Sequence, residues 1–222
     1  MAVREIVRPR LPKKDLVFPE TDGQPMGETG FHIKCIIAIV NALEGRYRGR
    51  TDVYIGADML LYYTPTEPGD MVSPDVFVAF GVGAHERRTW KLWDESKAPD
   101  VVFEITSKST RKDDQYIKPL IYEELGVPEY FLFDPLGEYL KPHRLQGFQL
   151  IEGGYQPLTG DRLTSNVLGL ELMVKDDFLR FYDPAAKLLL PTTAELETVA
   201  REAEAEAARL REELARLRGE TQ

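Results

Sequence analysis

The sequence predicts a mixed α/β fold of the α+β type, in which a mixed sheet is flanked by helices and a heptad helix follows. Short β-branched and aromatic runs in the middle of the chain predict the sheet, and two stretches with apolar residues at helical spacing predict the flanking helices. At 222 residues and 43% hydrophobic, the chain can hold one packed domain and an appendage. We therefore divide it into an N-terminal arm (1–26), a globular domain (27–190) and a C-terminal charged coiled-coil helix (191–222).

Two helices and a series of short strands account for the globular domain. The first helix is predicted at residues 28–47, with Thr29 as its N-cap. The second is predicted at residues 113–125, where Pro119 requires either a start near Lys118 or a kinked first turn. Runs bounded by Pro, Gly and Ser predict strands at 51–55, 58–63, 75–80, 100–106, 129–134, 138–145, 147–151, 155–157, 169–174, 178–182 and 186–190.

The C-terminal stretch 192–220 has a different character from the rest of the chain. Small and large apolar residues recur at alternating steps of four and three, and most other positions are Glu, Arg or Ala. The pattern fits either a single solvated helix or one that dimerises or binds a partner, and we expect a homodimer formed through 192–220. The repeating positions are Leu196, Ala200, Ala203, Ala207, Leu210, Leu214 and Leu217.

The charge and composition of the chain limit its function. A formal net charge of −9 argues against loose, charge-driven binding to nucleic acid, but it leaves room for an enzyme that holds DNA in a local groove. Basic residues do flank the acidic strand at 100–106 on both sides. No apolar window has the length of a membrane span, and the single cysteine, Cys35, cannot form an internal disulfide. We expect a cytoplasmic protein without a membrane partner.

Carboxylates recur where the predicted strands begin or end. Asp75 starts one strand, Asp100 and Glu104 lie in the next, and Asp134 closes a third. Glu104 is notable because a carboxylate within the apolar run VVFEIT is costly to bury unless it is paired or bound to a cation. If the strands are adjacent, Asp75 and Glu104 would come together as hard-oxygen ligands of the kind that a divalent metal prefers. Lys108 would follow on the same face as Glu104 if the strand continued.

With these residues, the sequence resembles the Uma-two family of restriction endonucleases within the PD-(D/E)XK nuclease superfamily. The resemblance extends from about Phe31 to Leu190. It includes a Gly-Phe-His entry to the first helix. The matching features are Pro74-Asp75 before an apolar strand, the run PDVVFEITS, the loop residues Ser109, Thr110, Arg111 and Asp114, then Lys118, Tyr122 and the run GVPEYFLFDP.

The resemblance implies a restriction-endonuclease-like fold and Mg²⁺-dependent cleavage of DNA, with Mn²⁺ as an alternative metal. Asp75 and Glu104 would be the metal ligands and catalytic acids. Asp100 lies four residues before Glu104, on the same strand face, and would be a further ligand.

The position of the catalytic lysine departs from the superfamily pattern. That lysine normally lies two residues after the acid, where this sequence has Thr106. The resemblance therefore points to Lys118 on the following helix, with Lys108 as the local alternative. A second function also fits the sequence, namely a catalytically silent protein of the nuclease fold that acts by binding or oligomerisation through its C-terminal coiled coil.

Overall fold

The computed structural model describes residues 16–21 and 29–219 and contains three sheets and four α-helices in that part of the chain. The α-helices are α1 (Gly30–Arg46), α2 (Leu92–Glu95), α3 (Lys118–Glu124) and α4 (Thr193–Gly219), and a π-helical turn (Asp113–Ile117) leads into α3. The strands are β1 (Val53–Ala57), β2 (Leu61–Tyr62), β3 (Met71–Val72), β4 (Val76–Phe80), β5 (Trp90–Lys91), β6 (Val101–Ile105), β7 (Glu129–Phe133), β8 (Leu145–Ile151), β9 (Gly154–Leu158), β10 (Leu163–Ser165), β11 (Leu170–Lys175), β12 (Phe178–Asp183) and β13 (Leu188–Leu189).

A six-stranded mixed sheet in the order β1-β4-β6-β7-β8-β9 forms the centre of the fold. The strands β6 and β7 are parallel, and the other neighbouring pairs are antiparallel. Every residue of β6 and β7 is buried, which explains why the sequences of both strands are almost entirely apolar. The helical crossover between these two parallel strands contains the π-helical turn and α3, and it therefore lies directly over the middle of the sheet.

The two faces of the central sheet pack against different layers. On one face, α1 and the four-stranded sheet β10-β11-β12-β13 form a core around Phe103 and Phe131. On the other face, Tyr122 of α3 and Trp90 of β5 pack over Phe77 and Tyr130. Because both faces are covered, a polar side chain in β6 must find its partners inside the protein.

The first helix starts where the sequence predicts. The Thr29 hydroxyl accepts a hydrogen bond from the backbone N–H of His32 at 3.2 Å, as an N-cap residue does. The second predicted helix, 113–125, is divided into the π-helical turn and α3. Pro119 lies in the first turn of α3, where the missing N–H is tolerated. The observed structure therefore combines the two alternatives for Pro119: α3 starts at Lys118, and the turn before it is not a regular α-helix.

The predicted strand at 138–145 is wrong, because only its last residue belongs to β8. Instead, the buried carboxylate of Asp134 accepts hydrogen bonds from four backbone N–H groups and folds the segment into a compact turn. The donors are Leu136, Gly137, Tyr139 and Leu140, at 3.2, 2.9, 2.5 and 2.9 Å. The short strands β3, β5 and β10 have two or three residues each and were not predicted.

The part of the predicted N-terminal arm that the structure describes, residues 16–21, packs onto the domain. The Tyr62 hydroxyl donates a hydrogen bond to the carbonyl of Pro19, and the ring of Phe18 lies 5.0 Å from that of Trp93. The rest of the predicted arm, residues 1–15 and 22–26, lies outside the described residues.

The C-terminal helix α4 lies on the surface, and none of its residues is buried. At its first turn, Glu195 pairs with Arg180 at 2.8 Å and the Thr193 hydroxyl accepts a hydrogen bond from Asn41 at 3.0 Å. Among the described residues, no helix is both long and apolar enough to cross a membrane.

Candidate active site

A fully buried carboxylate, Glu104, occupies the second-last position of β6. Its side chain faces α3. The Tyr122 hydroxyl donates a hydrogen bond to Oε1 at 2.7 Å, and the Lys118 ammonium donates one to Oε2 at 2.7 Å. A carboxyl group inside an apolar strand is costly to bury unless it is paired, and Glu104 is paired with Lys118.

Asp75 lies beside Glu104 at the start of the neighbouring strand β4. The register pairs Val76 with Phe103, so one further step places Asp75 opposite Glu104. The backbone N–H of Asp75 lies 3.4 Å from Glu104 Oε2. Asp75 Oδ2 accepts a hydrogen bond from the backbone N–H of Ile105 at 2.6 Å. The two predicted acids are thus brought together by strand pairing.

The other oxygen of Asp75 contacts a histidine from the first helix. His32 is 3% exposed, and its Nε2 lies 3.1 Å from Asp75 Oδ1. The contact fixes the orientation of the Asp75 carboxylate. The sequence contains a signal for this residue in the Gly-Phe-His entry to α1, but His32 was not predicted as a site residue.

A π-helical turn sets the position of Lys118. Within this turn, the N–H of Lys118 bonds to the carbonyl of Asp113 rather than to that of Asp114. The turn directs both Asp114 and Lys118 inward, and Lys118 Nζ lies 3.1 Å from Asp114 Oδ1. The same ammonium also donates to the carbonyl of Ser73 at 3.3 Å. Such turns are frequent at functional sites.

Lys118 is therefore shared by the acids of the site. Burial disfavours the charge on its ammonium, but Glu104, Asp114 and Asp75 outweigh this effect and raise the pKa of Lys118 above its ordinary value. Burial also raises the pKa of Glu104 to about 8; Lys118 opposes the rise, while Asp75 and Asp114 add to it. Burial likewise raises the pKa of Asp114. With three carboxyl groups and one lysine, the site has a surplus of acidic groups.

Two buried tyrosines, one from α3 and one from β7, donate hydrogen bonds to groups of the site. Tyr122 donates to Glu104, and the Tyr130 hydroxyl donates to the backbone carbonyl of Asp114 at 2.6 Å. Burial raises the pKa of both hydroxyls well above the ordinary value, so both remain protonated donors. Tyr122 is among the residues that carry the family resemblance, and it lies one helical turn after Lys118.

Two predicted site residues are not brought to Glu104. Asp100 lies before β6, at the opposite end of the strand, where its Oδ2 accepts hydrogen bonds from Lys97 Nζ and the backbone N–H of Phe80, both at 2.7 Å. Four strand residues span roughly 13 Å, so Asp100 and Glu104 lie too far apart to bind the same metal ion although they share a strand face. Lys108 is exposed in the turn after β6, because the chain leaves the extended conformation at Thr106. The geometry therefore argues against both residues.

Thr106 stands at the position where the superfamily pattern has its lysine. It is buried, and its hydroxyl has no hydrogen-bond partner among the described residues. The ammonium that lies close to Glu104 belongs instead to Lys118, which approaches from the crossover helix.

The donor set fits a hard divalent cation. In the described part of the chain, no three His, Cys, Asp or Glu side chains form a ready-made metal cage. Magnesium, however, is commonly held by only one or two carboxylates, with waters and substrate phosphates as its other ligands. Asp75 and Glu104 supply two carboxylates at the same end of two adjacent strands, where they contact His32 and Tyr122, and the surplus of acidic groups favours a cation.

Comparison with known proteins supports the fold. A solved structure described as a putative nuclease belonging to DUF820, from Anabaena variabilis, aligns with a TM-score of 0.52 at 16% sequence identity, covering 72% of this chain and 88% of that one. At this identity the likeness shows the fold, and it confirms the predicted mixed α/β fold of nuclease type. No curated protein matches the sequence.

A family model supplies the identification. The model for Uma2, described as "Putative restriction endonuclease", matches residues 11–175, which is well over half of the chain. The match confirms the resemblance predicted from the motifs around Asp75 and Glu104. This chain therefore belongs to the Uma2 family.

Proposed function

We propose that this protein is a metal-dependent endonuclease that hydrolyses phosphodiester bonds in DNA. The observation that carries the proposal is the pairing of Asp75 with Glu104 on adjacent strands, with the Lys118 ammonium 2.7 Å from Glu104. A buried site with surplus carboxylates and one fixed cation is suited to an anionic substrate only when a metal ion offsets the acids. The family description and the fold of the Anabaena protein support a nuclease.

Asp75 and Glu104 would hold Mg²⁺, with Mn²⁺ as an alternative. When bound, the metal supplies a Lewis acid that polarises the phosphate and lowers the pKa of a coordinated water. The hydrogen bonds from Ile105 and Tyr122 hold the two carboxylates in fixed orientations. His32 positions Asp75 in the same way.

Lys118 acts as a positive donor rather than as a base. The acids around it raise its pKa, so it remains protonated at neutral pH. Its ammonium can therefore orient the attacking water or stabilise negative charge that develops on the phosphate, as fixed donors do in other transition states. Lys108 is exposed and has no contact with Glu104 among the described contacts, so Lys118 is the better candidate of the two.

Nicking of supercoiled plasmid, together with calorimetric titration of Mg²⁺ or Mn²⁺, tests the proposal. We expect Asp75→Ala and Glu104→Ala to lose metal binding and nicking, and Lys118→Ala to lose about 10²- to 10³-fold in rate, as for removal of one transition-state donor. Lys108→Ala is the matched control for the lysine and should keep its activity. Retained nicking by a folded Glu104→Ala protein would overturn the site assignment.

We further propose that the chain forms a homodimer through residues 192–220. Helix α4 has 27 residues, none of them buried, and its leucines are about half exposed. In a parallel pair, the heptad places Glu206 and Glu213 of one helix opposite Arg211 and Arg218 of the other. Burial of the leucine stripe against a second copy would remove this exposed apolar surface from water.

Light scattering tests the dimer. The full chain should show twice its mass of 25.3 kDa, and Leu210→Glu should yield monomers because it places a charge in the apolar seam. Ala208→Glu, on an exposed position outside the seam, is the matched control and should remain dimeric. A monomeric full chain would refute this interface. If the chain dimerises but neither binds metal nor cleaves DNA, the alternative of a silent nuclease fold acting by oligomerisation is correct.

A further inference from the structure

A cleft beside the candidate active site combines two tyrosines with two cationic side chains. It has a volume of about 450 Å³ and contains none of the carboxylates of the site. Its lining residues are Arg111, Lys112, Gln115, Tyr116, Glu138 and Tyr139.

One wall of the cleft belongs to the π-helical turn that positions Lys118. The turn has two opposite sides: Asp114 is buried, whereas Tyr116 is 68% exposed. Ile117 and Leu120 are also exposed, at 53% and 66%, and they extend the apolar surface beside Tyr116. Tyr116 precedes Lys118 by two residues, so the turn that presents Tyr116 to the cleft also carries, on its inner side, the lysine that contacts Glu104.

The other wall is fixed before any ligand binds. Tyr139 lies in the turn that Asp134 folds by accepting four backbone N–H groups, among them that of Tyr139 itself. The Arg111 guanidinium lies 5.4 Å from the centre of the Tyr139 ring and links the two walls. A turn held in this way needs little further ordering on binding, so its ring is a preorganised contact surface.

The charge around the cleft is opposite to that of the whole chain. The chain has a net charge of −9, but the cleft is lined by two cationic side chains and one acidic side chain. Aromatic rings flanked by cations match the alternation of bases and phosphates in an unpaired strand. The cationic residues are Arg111 and Lys112, and the acidic one is Glu138.

We propose that this cleft binds a nucleobase that has left the base stack, with its face against Tyr116 and Tyr139 and its flanking phosphates near Arg111 and Lys112. The inference rests on the proposed function and deepens it, because it names the substrate class as DNA with unpaired nucleotides beside the scissile phosphate. A paired base in a duplex has both faces covered by its neighbours and cannot use the two rings.

Binding of fluorescein-labelled oligothymidine to the full chain in EDTA tests the inference without cleavage. Tyr116→Ala and Tyr139→Ala should each weaken binding about 5- to 150-fold, the range for loss of one aromatic–base stack, whereas Tyr116→Phe should bind like the wild type. Lys112→Ala should reduce the slope of log affinity against log salt by about 0.7, because one phosphate contact is lost. Ile151→Ala removes an apolar side chain that is 48% exposed at the hairpin between β8 and β9, and it should leave the binding of oligothymidine unchanged.

The outcomes separate this inference from the proposed function. Unchanged oligothymidine binding in both alanine variants, with plasmid nicking intact, would overturn the cleft and leave the nuclease standing. The cleft would also be overturned if the protein bound a DNA duplex as tightly as oligothymidine and if Tyr116→Ala weakened neither interaction. A wild-type protein that neither binds oligothymidine nor nicks plasmid would overturn both.

Discussion

Replacement of Glu104 by glutamine should stabilise the metal-free protein at neutral pH. In the folded protein, burial raises the pKa of Glu104 to about 8, compared with its ordinary value of 4.5. The folded state therefore holds a proton between these pH values that the unfolded chain has released, and the stability of the wild type falls as pH rises through this range. Glutamine has the same shape and needs no proton.

The size of the effect follows from the two pKa values. At pH 7 the unfolded chain is about 2.5 pH units above its own pKa while the folded protein still holds the proton, so the cost is about 3 kcal/mol at 1.36 kcal/mol per unit. Above pH 8 the cost levels off at about 5 kcal/mol, and below pH 4.5 it vanishes. In Glu104→Gln, Lys118 keeps its contact with Asp114 and can still donate to the amide oxygen, so its charge remains paired.

Urea unfolding in EDTA, from pH 5 to pH 8, measures this difference. The free energy of unfolding of Glu104→Gln should exceed that of the wild type by an amount that grows with pH. A difference that does not change with pH would show that Glu104 is already ionised in the folded protein and would refute the reasoning. Mg²⁺ provides a second comparison, because the wild type should gain about 2.7 kcal/mol at 100 times its Kd and the variant should gain nothing.

Four further substitutions test other parts of the structure. Lys118→Met removes the one ammonium from the buried acids and should cost about 3–5 kcal/mol in urea unfolding at pH 8, and less at pH 5, where the acids are more easily protonated; an equal loss at both would contradict the pairing. His32→Ala should weaken Mn²⁺ binding about 10- to 100-fold in calorimetry, because Asp75 loses its orienting contact, and unchanged affinity would exclude that role. Gly56→Ala places a Cβ 2.2 Å from the Phe77 ring and should cost about 1–3 kcal/mol, whereas Gly45→Ala in α1 meets nothing within 4 Å and should be neutral or stabilising by up to about 1 kcal/mol in thermal unfolding.

The sequence predicts the sheet from its short apolar runs, and it predicts the pair of acids from their positions in two runs that form adjacent strands. Glu104 interrupts an apolar run, and Asp75 precedes another, so the pairing of the two runs brings them together. Asp100 shares this pattern, but the sequence does not show which end of β6 lies under the crossover helix. That information comes from the parallel pairing of β6 with β7, which places the helix over the end that carries Glu104.

The remaining site residues depend on side-chain contacts that the local pattern does not encode. His32 lies 43 residues before Asp75, and its burial follows from the packing of α1 on the sheet. The segment 138–145 resembles strand sequence, but the side chain of Asp134 accepts the backbone N–H groups of Tyr139 and Leu140 that a strand would need. Two-residue strands such as β5 are too short to show an alternating pattern.

The π-helical turn has a consequence for how the position of the lysine is encoded. One residue fewer between Asp113 and Lys118 would restore an ordinary helix and rotate the lysine by about 100° around the axis, away from Glu104. The ammonium is therefore fixed by helical phase and not by its distance along the chain from the acid. A deletion of one residue in this turn should silence the site while every side chain of the site is still present, whereas a similar change in an exposed loop would leave it intact.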